Sequence, residues 1–377
     1  MNILVISTVR YRFNGIANVI RNLYLDDVFK GDDISFLFPA DNDATMIAEL
    51  GEKGFRTYEF PRYEKGAISY FRYVRNLVNT NNIDIVHIHG NSHALLIELI
   101  ASLAGRCKIR ICHSHNTTCN NVLMHKLLEP IFNILCTDRF ACGEDAGRWM
   151  YGNKQFQIIN NGINTEKFRF NEENRTHIRK QYGITDDEIV IGHVGNLNTQ
   201  KNQTFLLDIM SKLNNIEKYK LMLVGEGEKR AELERKTLRL GLNHHVIFVG
   251  ATQEVPAYLS AMDAIVMPSL YEGLPLSLVE EQANGLTCFV SNNITREVNI
   301  SGNLHFVYDT TDTEFWVKAV SNFHIHNNRN RAMISDLAIN AIKVSGYDIE
   351  SEVTKLHDYY SDRVKIKHGK KVHTETR

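Results

Sequence analysis

The sequence predicts an α/β protein of two domains, each built on a parallel β-sheet with helices on both faces. Its 377 residues suffice for two ordinary domains. Short runs rich in Val and Ile, without polar alternation, alternate with helical patterns, which is typical of parallel sheets buried on both faces. This alternation restarts after a polar stretch near mid-chain. Two such domains are expected to face each other across a cleft, a common location for small-molecule sites.

The first half contains six predicted strands, with helices between them. The strands are 3–9, 34–38, 83–89, 108–112, 139–142 and 157–160. The helices include 17–25, 68–80, 94–104 and 122–136.

The second half repeats the pattern. Its predicted strands are 189–194, 219–224, 246–249, 264–267 and 288–291, and its predicted helices are 203–213, 229–240, 256–261 and 276–284. The polar stretch 164–187 places the boundary, so the predicted domains are 1–180 and 181–345. A last helix is predicted over 346–362, and the basic tail 363–377 is predicted to be disordered.

Composition excludes several classes of protein. A hydrophobic content of 43% and a charged content of 23% are those of a soluble globular chain. A net charge of −1 gives no argument for nucleic-acid binding. The six cysteines show no paired metal-ligand spacing, and the five that fall within 107–142 are interpreted as core residues or thiols of a reducing compartment. The N-terminus lacks a basic leader and the longest apolar run, 94–104, is too short to span a bilayer, so a cytoplasmic protein is expected.

The most informative stretch is 268–280, Pro-Ser-Leu-Tyr-Glu-Gly-Leu-Pro-Leu-Ser-Leu-Val-Glu, between a predicted strand and a predicted helix. Pro275 suits the first helical position, where its missing N–H costs nothing. Such turns lie at the carboxyl ends of strands, where ligands bind in open α/β sheets. The helix start favours phosphate, and Glu272 and Glu280 can bond hydroxyls. Together these features suggest a nucleotide-sugar site.

The two glutamates cannot share a helix face, because eight helical residues rotate by about 800°. They converge only if Glu272 lies in the loop and Glu280 on the helix. Glu280 has apolar sequence neighbours, where an unpaired carboxylate is costly, and ribose hydroxyls are suitable partners. Helix capping is the alternative role for Glu272.

Three glycine turns follow predicted strands. Gly195 opens a turn that reaches Lys201, whose charge can contact a diphosphate. Gly225 and Gly227 form part of a dinucleotide fingerprint that lacks its third glycine and is weak alone. Gly15 begins a helix and allows a phosphate to approach. Ordinary tight turns and a surface lysine remain the alternatives.

Two His-x-His pairs end predicted strands, His87 with His89 and His113 with His115. Buried imidazoles at strand ends can bond sugar hydroxyls or stabilise charge, although a structural role is the alternative. No metal site is expected, on the ground that alternation along a strand turns the two rings of a pair to opposite faces.

The stretch 56–75 interleaves basic and aromatic residues. Such a surface suits an anionic membrane interface. The alternative is an amphipathic helix with its aromatic residues in the core.

Taken together, these motifs resemble those of retaining glycosyltransferases of family 4, over nearly the whole chain. That family has the GT-B architecture of two facing Rossmann-like domains, and its last helix often crosses back to the first domain. The residues that carry the resemblance are Gly15, His113, Asn161-Gly162-Ile163, Gly195, Lys201-Asn202, Gly225, Gly227, the segment 246–250, Glu272 and Glu280.

The resemblance implies roles for these positions. His113, Glu272 and Lys201 are the predicted catalytic residues: Lys201 would bind the donor pyrophosphate, Glu272 the donor sugar and phosphate, and His113 the sugar near its reacting carbon. Glu280 would hold the ribose, and Gly15 would approach from the other domain. The other donor-binding positions are Gly195, Asn196, Gly225, Gly227, Val249, Gly250, Gly273, Leu274, Pro275 and Leu276.

One position departs from the family pattern. Asn196 stands where the family usually has an arginine, which removes one cation from the leaving diphosphate. Either Lys201 suffices, or Arg12 or Arg230 substitutes, or the enzyme is slow. Neither a metal nor a cofactor is expected, because Lys201 and the helix start would stabilise the leaving group.

The expected activity is sugar transfer, with retention, from a nucleoside diphosphate donor, most simply a UDP-sugar. The expected acceptor is a saccharide, lipid-linked, in capsule, exopolysaccharide or other surface-glycan assembly on the inner face of the cell membrane. Two alternatives stay open: a UDP-sugar epimerase of the same architecture, and a nucleotide-sugar-binding protein without catalysis.

Overall fold

The chain forms two compact units in the structure, a computed structural model that describes residues 1–12, 15–25, 27–119, 121–272, 274–309, 311–322 and 330–367. Unit 1 comprises Met1–Gly162 and Ile349–Arg377, and unit 2 comprises Ile163–Asp348. No helix of the described ranges is both long and apolar enough to cross a membrane.

Unit 1 contains a parallel seven-stranded sheet in the order β3-β2-β1-β4-β5-β6-β7. Its strands are β1 (Asn2–Ser7), β2 (Asp33–Pro39), β3 (Arg56–Phe60), β4 (Ile85–Gly90), β5 (Ile109–Ser114), β6 (Asp138–Ala141) and β7 (Gln157–Ile158). Its helices are α1 (Gly15–Tyr24), α2 (Ala44–Glu52), α3 (Arg62–Thr80), α4 (Leu96–Ala104), α5 (Val122–Leu135), α6 (Glu144–Tyr151) and the last helix, α14 (Ile349–Lys367).

Unit 2 contains a parallel six-stranded sheet in the order β10-β9-β8-β11-β12-β13. Its strands are β8 (Ile189–Val194), β9 (Tyr219–Val224), β10 (Val246–Gly250), β11 (Ala264–Met267), β12 (Thr287–Ser291) and β13 (Leu304–Val307). Its helices are α7 (Glu172–Gln181), α8 (Gln203–Ser211), α9 (Arg230–Arg239), α10 (Val255–Ala261), α11 (Leu276–Ala283), α12 (Thr313–Ser321) and α13 (Arg331–Val344).

The prediction of two parallel α/β units is confirmed, because each predicted strand is present with ends within two residues of those expected. Each sheet has apolar clusters on both faces, which explains why its strands read as continuous Val- and Ile-rich runs. The order of strands reverses between β1 and β4 in unit 1 and between β8 and β11 in unit 2. Ligands in open α/β sheets bind at the carboxyl ends beside such a reversal.

The polar stretch 164–187 is folded in unit 2 and is not a linker. It contains α7, which packs beside α10. Arg175 and Arg179 of α7 both pair with the buried Asp263, at 2.7 and 3.2 Å. The units therefore divide after Gly162 instead of at the expected 180, because buried ion pairs hold this polar helix.

Unit 2 begins and ends at neighbouring points. Ile163 pairs with Asp348 in an isolated parallel bridge, and the Ile163 amide donates to the carbonyl of Tyr347 at 2.9 Å. The Thr165 hydroxyl donates to Asp348 Oδ1 at 2.7 Å. Unit 2 is thus a continuous segment inserted between the two segments of unit 1.

The last helix packs in unit 1 and extends further than expected. Val353, Leu356 and Tyr360 of α14 join the core cluster on one face of the first sheet. Residues 363–367, predicted to belong to a disordered tail, are helical, and Arg363 is anchored to Asp138 at 2.7 Å. The rest of the predicted tail lies outside the described residues.

The aromatic residues of 56–75 whose side chains are described do not form the exposed surface that a membrane interface there requires. Arg56 pairs with Asp33. The described rings join or pack against an apolar cluster of unit 1, as the amphipathic-helix alternative predicts: Tyr58, Phe60, Tyr70, Phe71 and Tyr73.

Candidate active site

An ion pair lies where the strand order of unit 2 reverses. Lys201 Nζ is 2.7 Å from Glu272 Oε1, and the two side chains are only 14% and 8% exposed. Lys201 follows β8 and Glu272 follows β11, so neighbouring strands deliver them to the same edge of the sheet. Gln200 Nε2 donates to Glu272 Oε2 at 3.2 Å and fixes the carboxylate. The structure therefore brings together two of the three predicted catalytic residues.

The glycines of the predicted turns in unit 2 are required by close packing or by the backbone conformation, whereas a Cβ on Gly15 of unit 1 would meet no atom within 4 Å. A Cβ on Gly225 would lie 2.1 Å from the carbonyl oxygen of Gly195, and one on Gly227 would lie 2.3 Å from that of Leu197. Gly195 has a φ of 151° and Gly225 a φ of 136°, conformations that favour glycine. The Gly195 amide donates to the carbonyl of Val224, so the turns that follow β8 and β9 pack against each other next to Lys201.

A buried polar chain supports the lysine turn, and the sequence interpretation did not include it. His193 Nδ1 lies 2.9 Å from the carbonyl oxygen of Val266, and His193 Nε2 lies 3.1 Å from Gln203 Nε2. Gln203 also donates to the carbonyl of Asn196 at 2.9 Å. Burial lowers the pKa of His193 to about 4, so the ring is neutral and accepts from Gln203.

The start of α11 lies beside Glu272 and carries no side-chain cap. Pro275 is the N-cap residue, and Leu276 is the first helical residue, so the prediction of Pro275 at the first helical position is wrong by one residue. An uncapped helix start offers free amides and a partial positive charge to an anion. Leu274 packs against the core, and Gly273 lies outside the described residues.

Glu280 lies on α11, so the two glutamates belong to different elements, as their spacing predicts. In the described part of the chain no side chain or amide bonds the Glu280 carboxylate. Burial raises the pKa of Glu280 to about 7, and the nearby Lys167 opposes the shift. A partly exposed carboxyl without a protein partner is suited to hydroxyl groups of a ligand.

The sequence interpretation missed Glu281. This residue is fully buried, and neither carboxyl oxygen has a hydrogen-bond partner among the described residues. Burial raises its pKa well above the usual range; Lys201 opposes the shift, and Glu280 and Glu272 increase it. Burial therefore favours the protonated form of Glu281, and the ion-pair partner of Lys201 is Glu272. Glu281 and Glu280 have the same apolar sequence neighbours. The direction of the side chain on α11 is what makes one fully buried and the other partly exposed.

Unit 1 contains a histidine cluster at the ends of β4 and β5. His87, His89 and His113 are fully buried, and His115 is partly exposed just after β5. The ring centroids of His87 and His89 are 4.3 Å apart, and those of His113 and His115 are 4.2 Å apart. The expectation that each pair splits across the sheet is wrong, because residues two apart on a strand share a face.

The cluster is poorly satisfied by protein partners. His87 Nδ1 lies 2.8 Å from the Tyr24 hydroxyl, and His89 Nδ1 lies 2.8 Å from His115 Nε2. Neither nitrogen of His113 bonds another side chain among the described residues, and its polar contact is with the backbone of Ile159. Nitrogens of His87, His89 and His113 lie within 4.8 Å of one another, close enough to consider a metal ion. This set offers no carboxylate to offset a divalent charge, and the expectation of no metal remains a prediction.

Sequence comparisons relate the chain to known glycosyltransferases. The profile of the family described as "Glycosyl transferases group 1" matches residues 174–338. EpsF of Bacillus subtilis (strain 168), named as a candidate glycosyltransferase, is 28% identical over 94% of this chain and 95% of its own. An α-1,3-galactosyltransferase of Escherichia coli, named for UDP-Gal and α-D-GlcNAc-diphosphoundecaprenol, is 29% identical over 76% of this chain and 78% of its own.

Solved structures show the same fold. HepE of Anabaena, crystallised with UDP, has a TM-score of 0.78 at 17% identity and covers 96% of this chain and 100% of its own. WaaG, a glycosyltransferase of lipopolysaccharide biosynthesis, has a TM-score of 0.67 at 13% identity and covers 95% and 99%. The chain is a group 1 glycosyltransferase with the GT-B fold. The family and fold class inferred by resemblance are confirmed.

The glycosyltransferase has few cations to replace the family arginine at Asn196, which is exposed. Arg230 is held by Glu226 and Glu234, at 2.6 and 2.5 Å. Arg12, in unit 1, is held by Asp41 at 2.5 Å. Lys201 is paired as well, with Glu272, so pairing does not distinguish the three cations. Lys201 is favoured because it lies at the strand reversal of unit 2 and its partner lies beside the start of α11.

The donor-binding roles of the remaining positions stay predictions. Gly250 has a φ of 89° and bridges to Gly225, so the ends of β9 and β10 meet. Val249 lies at a register shift between β10 and β9. Gly15 begins α1 and His113 lies on β5, both in unit 1.

Replacing Glu281 by Gln is expected to stabilise the glycosyltransferase at neutral pH but not at pH 4. The pKa of Glu281 in the folded state lies above its unfolded value. The contribution of this carboxyl to the unfolding free energy is therefore fully present below about pH 4.3 and is lost as pH rises through the folded-state pKa. The advantage of Glu281→Gln should therefore grow by about 1.4 kcal/mol per pH unit until the folded pKa is reached. Urea unfolding from pH 4 to 8 measures it, with Glu254→Gln at an exposed position as control. A pH-independent difference would contradict the assignment.

Proposed function

We propose that the protein transfers a hexose from a UDP-sugar to a lipid-linked saccharide acceptor, with retention of anomeric configuration, during assembly of a surface polysaccharide. The observation that carries the proposal is the Lys201–Glu272 pair beside the uncapped start of α11. It places one cation, free backbone amides and a carboxylate at the same edge of the sheet. These are the groups that a sugar diphosphate requires.

The ion pair suggests how the leaving group is stabilised. In the ligand-free protein Glu272 neutralises Lys201. A donor diphosphate would draw the ammonium away, and the released carboxylate would then accept hydroxyls of the donor sugar. Such prearranged charges and dipoles are the largest contribution to many transfer reactions, because they need no reorganisation when the negative charge develops.

Glu280 is proposed to hold the ribose. It lies one helical turn beyond the start of α11, with a carboxyl that is partly exposed and lacks a partner within the described ranges. Two adjacent ribose hydroxyls would satisfy both of its oxygens. Since its pKa is about 7, ribose binding should also favour the charged form, which accepts two hydrogen bonds.

Relatives support the acceptor class and the pathway. The E. coli relative is named for a UDP-Gal donor and an undecaprenol-linked acceptor. Other relatives are named for the biosynthesis of amylovoran in Erwinia amylovora and of Vi polysaccharide in Salmonella typhi. HepE has been crystallised with UDP-glucose. A UDP-hexose and a polyprenyl-diphosphate saccharide are therefore the substrates to test first, at the inner face of the membrane.

A donor screen tests the proposal. Purified protein is incubated with UDP-, GDP- and ADP-hexoses, first alone and then with a polyprenyl-diphosphate monosaccharide. We expect slow hydrolysis of one UDP-hexose without acceptor, and faster UDP release with formation of a disaccharide lipid when acceptor is present. The linkage, read by NMR, should retain the donor configuration.

Three results would contradict the proposal. Conversion of the UDP-sugar to its epimer without acceptor would establish an epimerase. Tight UDP binding with neither hydrolysis nor transfer would establish a binding protein. Preference for GDP- or ADP-sugars would contradict the proposal that the donor is a UDP-sugar. Heat-denatured protein is the control for background hydrolysis.

A further inference from the structure

Helix α5 of unit 1 exposes a continuous row of aliphatic side chains. Leu123, Leu127, Ile131 and Ile134 are 71%, 70%, 50% and 78% exposed. Their spacing of four, four and three residues places them on one side of the helix. We refer to these four residues as the α5 apolar face.

The opposite side of α5 already supplies the packing that unit 1 needs. His125 and Phe132 are buried, and the His125 ring stacks on Trp149 with centroids 4.6 Å apart. A surface helix normally turns polar residues to solvent. The neighbouring α4 also exposes two aliphatic side chains, Ile100 and Leu103. Contiguous apolar patches of this kind mark sites of interaction.

Basic residues border the α5 apolar face. Lys126 is exposed on α5 itself, and Arg106 and Lys108 are exposed where the chain leaves α4 for β5. Arg110 Nε donates to the carbonyl of Leu135 at 3.0 Å, which sets that segment beside the end of α5. The charge at this border is complementary to anionic headgroups.

We propose that the α5 apolar face docks this protein onto the surface of an anionic lipid bilayer. The helix is about 21 Å long, so it can lie in the plane of the interface with its aliphatic row among the acyl chains and its lysine among the headgroups. A protein partner fits less well, because interface hot spots are usually Trp, Tyr or Arg and the face contains only Leu and Ile. The described aromatic side chains of the stretch 56–75 pack against the core of unit 1 and form no such exposed row.

The docking surface lies entirely within unit 1, and it deepens the proposed function, on which it rests for its purpose, by naming where a lipid-linked acceptor would be met. Vesicle binding needs neither donor nor acceptor. Failure of docking and failure of sugar transfer are therefore separate results.

The test is co-sedimentation of the full-length protein with vesicles. We expect binding to vesicles of phosphatidylcholine with one-third phosphatidylglycerol, weaker binding to phosphatidylcholine alone, and several-fold loss in high salt, because the basic border is screened. Leu123→Glu/Leu127→Glu should reduce binding at least tenfold. Its thermal unfolding temperature should stay unchanged, since both side chains are exposed.

The chain offers a matched control. Met333 and Leu337 of α13 are also four residues apart and are 56% and 61% exposed, so Met333→Glu/Leu337→Glu makes the same change in unit 2. This control should bind vesicles like the wild type. Equal loss in both variants, or no binding by the wild type, would overturn the proposal. So would a wild-type dimer in sedimentation velocity that Leu123→Glu/Leu127→Glu converts to a monomer, because the face would then join two copies of the chain.

Discussion

Turnover of the Lys201→Ala variant is expected to fall by about 10²–10³-fold, the usual effect of removing one group that stabilises charge in the transition state. The affinity for UDP should fall with it, because Lys201 is the proposed contact to the diphosphate. Initial rates of UDP release and calorimetric titration with UDP measure the two effects. Full transfer activity in this variant would remove Lys201 from the site.

The ion pair complicates the interpretation of that variant. Glu272 is only 8% exposed, so loss of its partner leaves a nearly buried carboxylate unpaired, at a cost of about 1–3 kcal/mol of stability. The double variant Lys201→Met/Glu272→Gln removes both charges and should regain most of that stability but none of the turnover. Lys229→Ala, which breaks a more exposed pair with Glu232, is the control and should change neither. Recovery of activity together with stability would mean that the pair is structural.

Unit 1 is expected to unfold in mild acid before unit 2. Burial lowers the pKa of His87, His89 and His113 well below the usual range and that of His115 to about 3. An unfolded histidine takes up a proton near pH 6.5, whereas these stay neutral in the folded protein. The unfolding free energy of unit 1 should thus be constant above pH 6.5 and fall below it, by about 1.4 kcal/mol per pH unit for each histidine.

The two tryptophans allow the units to be followed separately. Trp149 lies in unit 1 and Trp316 in unit 2, so Trp316→Phe and Trp149→Phe each leave one reporter. Urea unfolding at pH 5 to 7.5 should show a steep loss of stability by Trp149 fluorescence and no net loss by Trp316. The described part of unit 2 has one comparable histidine, His193, and the raised pKa of the buried Glu280 and Glu281 makes unit 2 more stable as pH falls. His87→Gln should reduce the slope for unit 1 by about one proton. Coincident, pH-independent transitions would contradict the assignment.

The sequence predicts the repeated β-α pattern well, because a buried parallel strand needs an unbroken apolar run wherever it occurs. The prediction of the domain boundary is wrong at α7, because the polar composition of this helix suggests a linker. Arg175 and Arg179 are helical because Asp263 lies at the start of β11, and this partner is distant in sequence. Strand β3 was missed for a related reason, since it lies at the edge of its sheet and its residues are mostly exposed or partly exposed.

Some features of the candidate site could likewise be predicted from the sequence and others could not. Glycine turns and the separation of Glu272 from Glu280 follow from local geometry, so they could be predicted. The direct Lys201–Glu272 pair could not, because β9, β10 and the intervening helices separate these residues along the chain. Glu281 was missed because one residue along a helix rotates the side chain by about 100°, and sequence alone does not say which of two adjacent glutamates faces the core.

The topology of unit 2 allows it to be exchanged as one continuous segment of the chain. Its first and last residues are joined by the Ile163–Asp348 bridge, so a single continuous gene segment encodes a body with adjacent ends. Recombination at two codons is then enough to exchange the whole segment between relatives while both parts of unit 1 are inherited together. Donor choice, if it resides in unit 2, can diversify in this way without disturbing the surface by which unit 1 recognises its own surroundings.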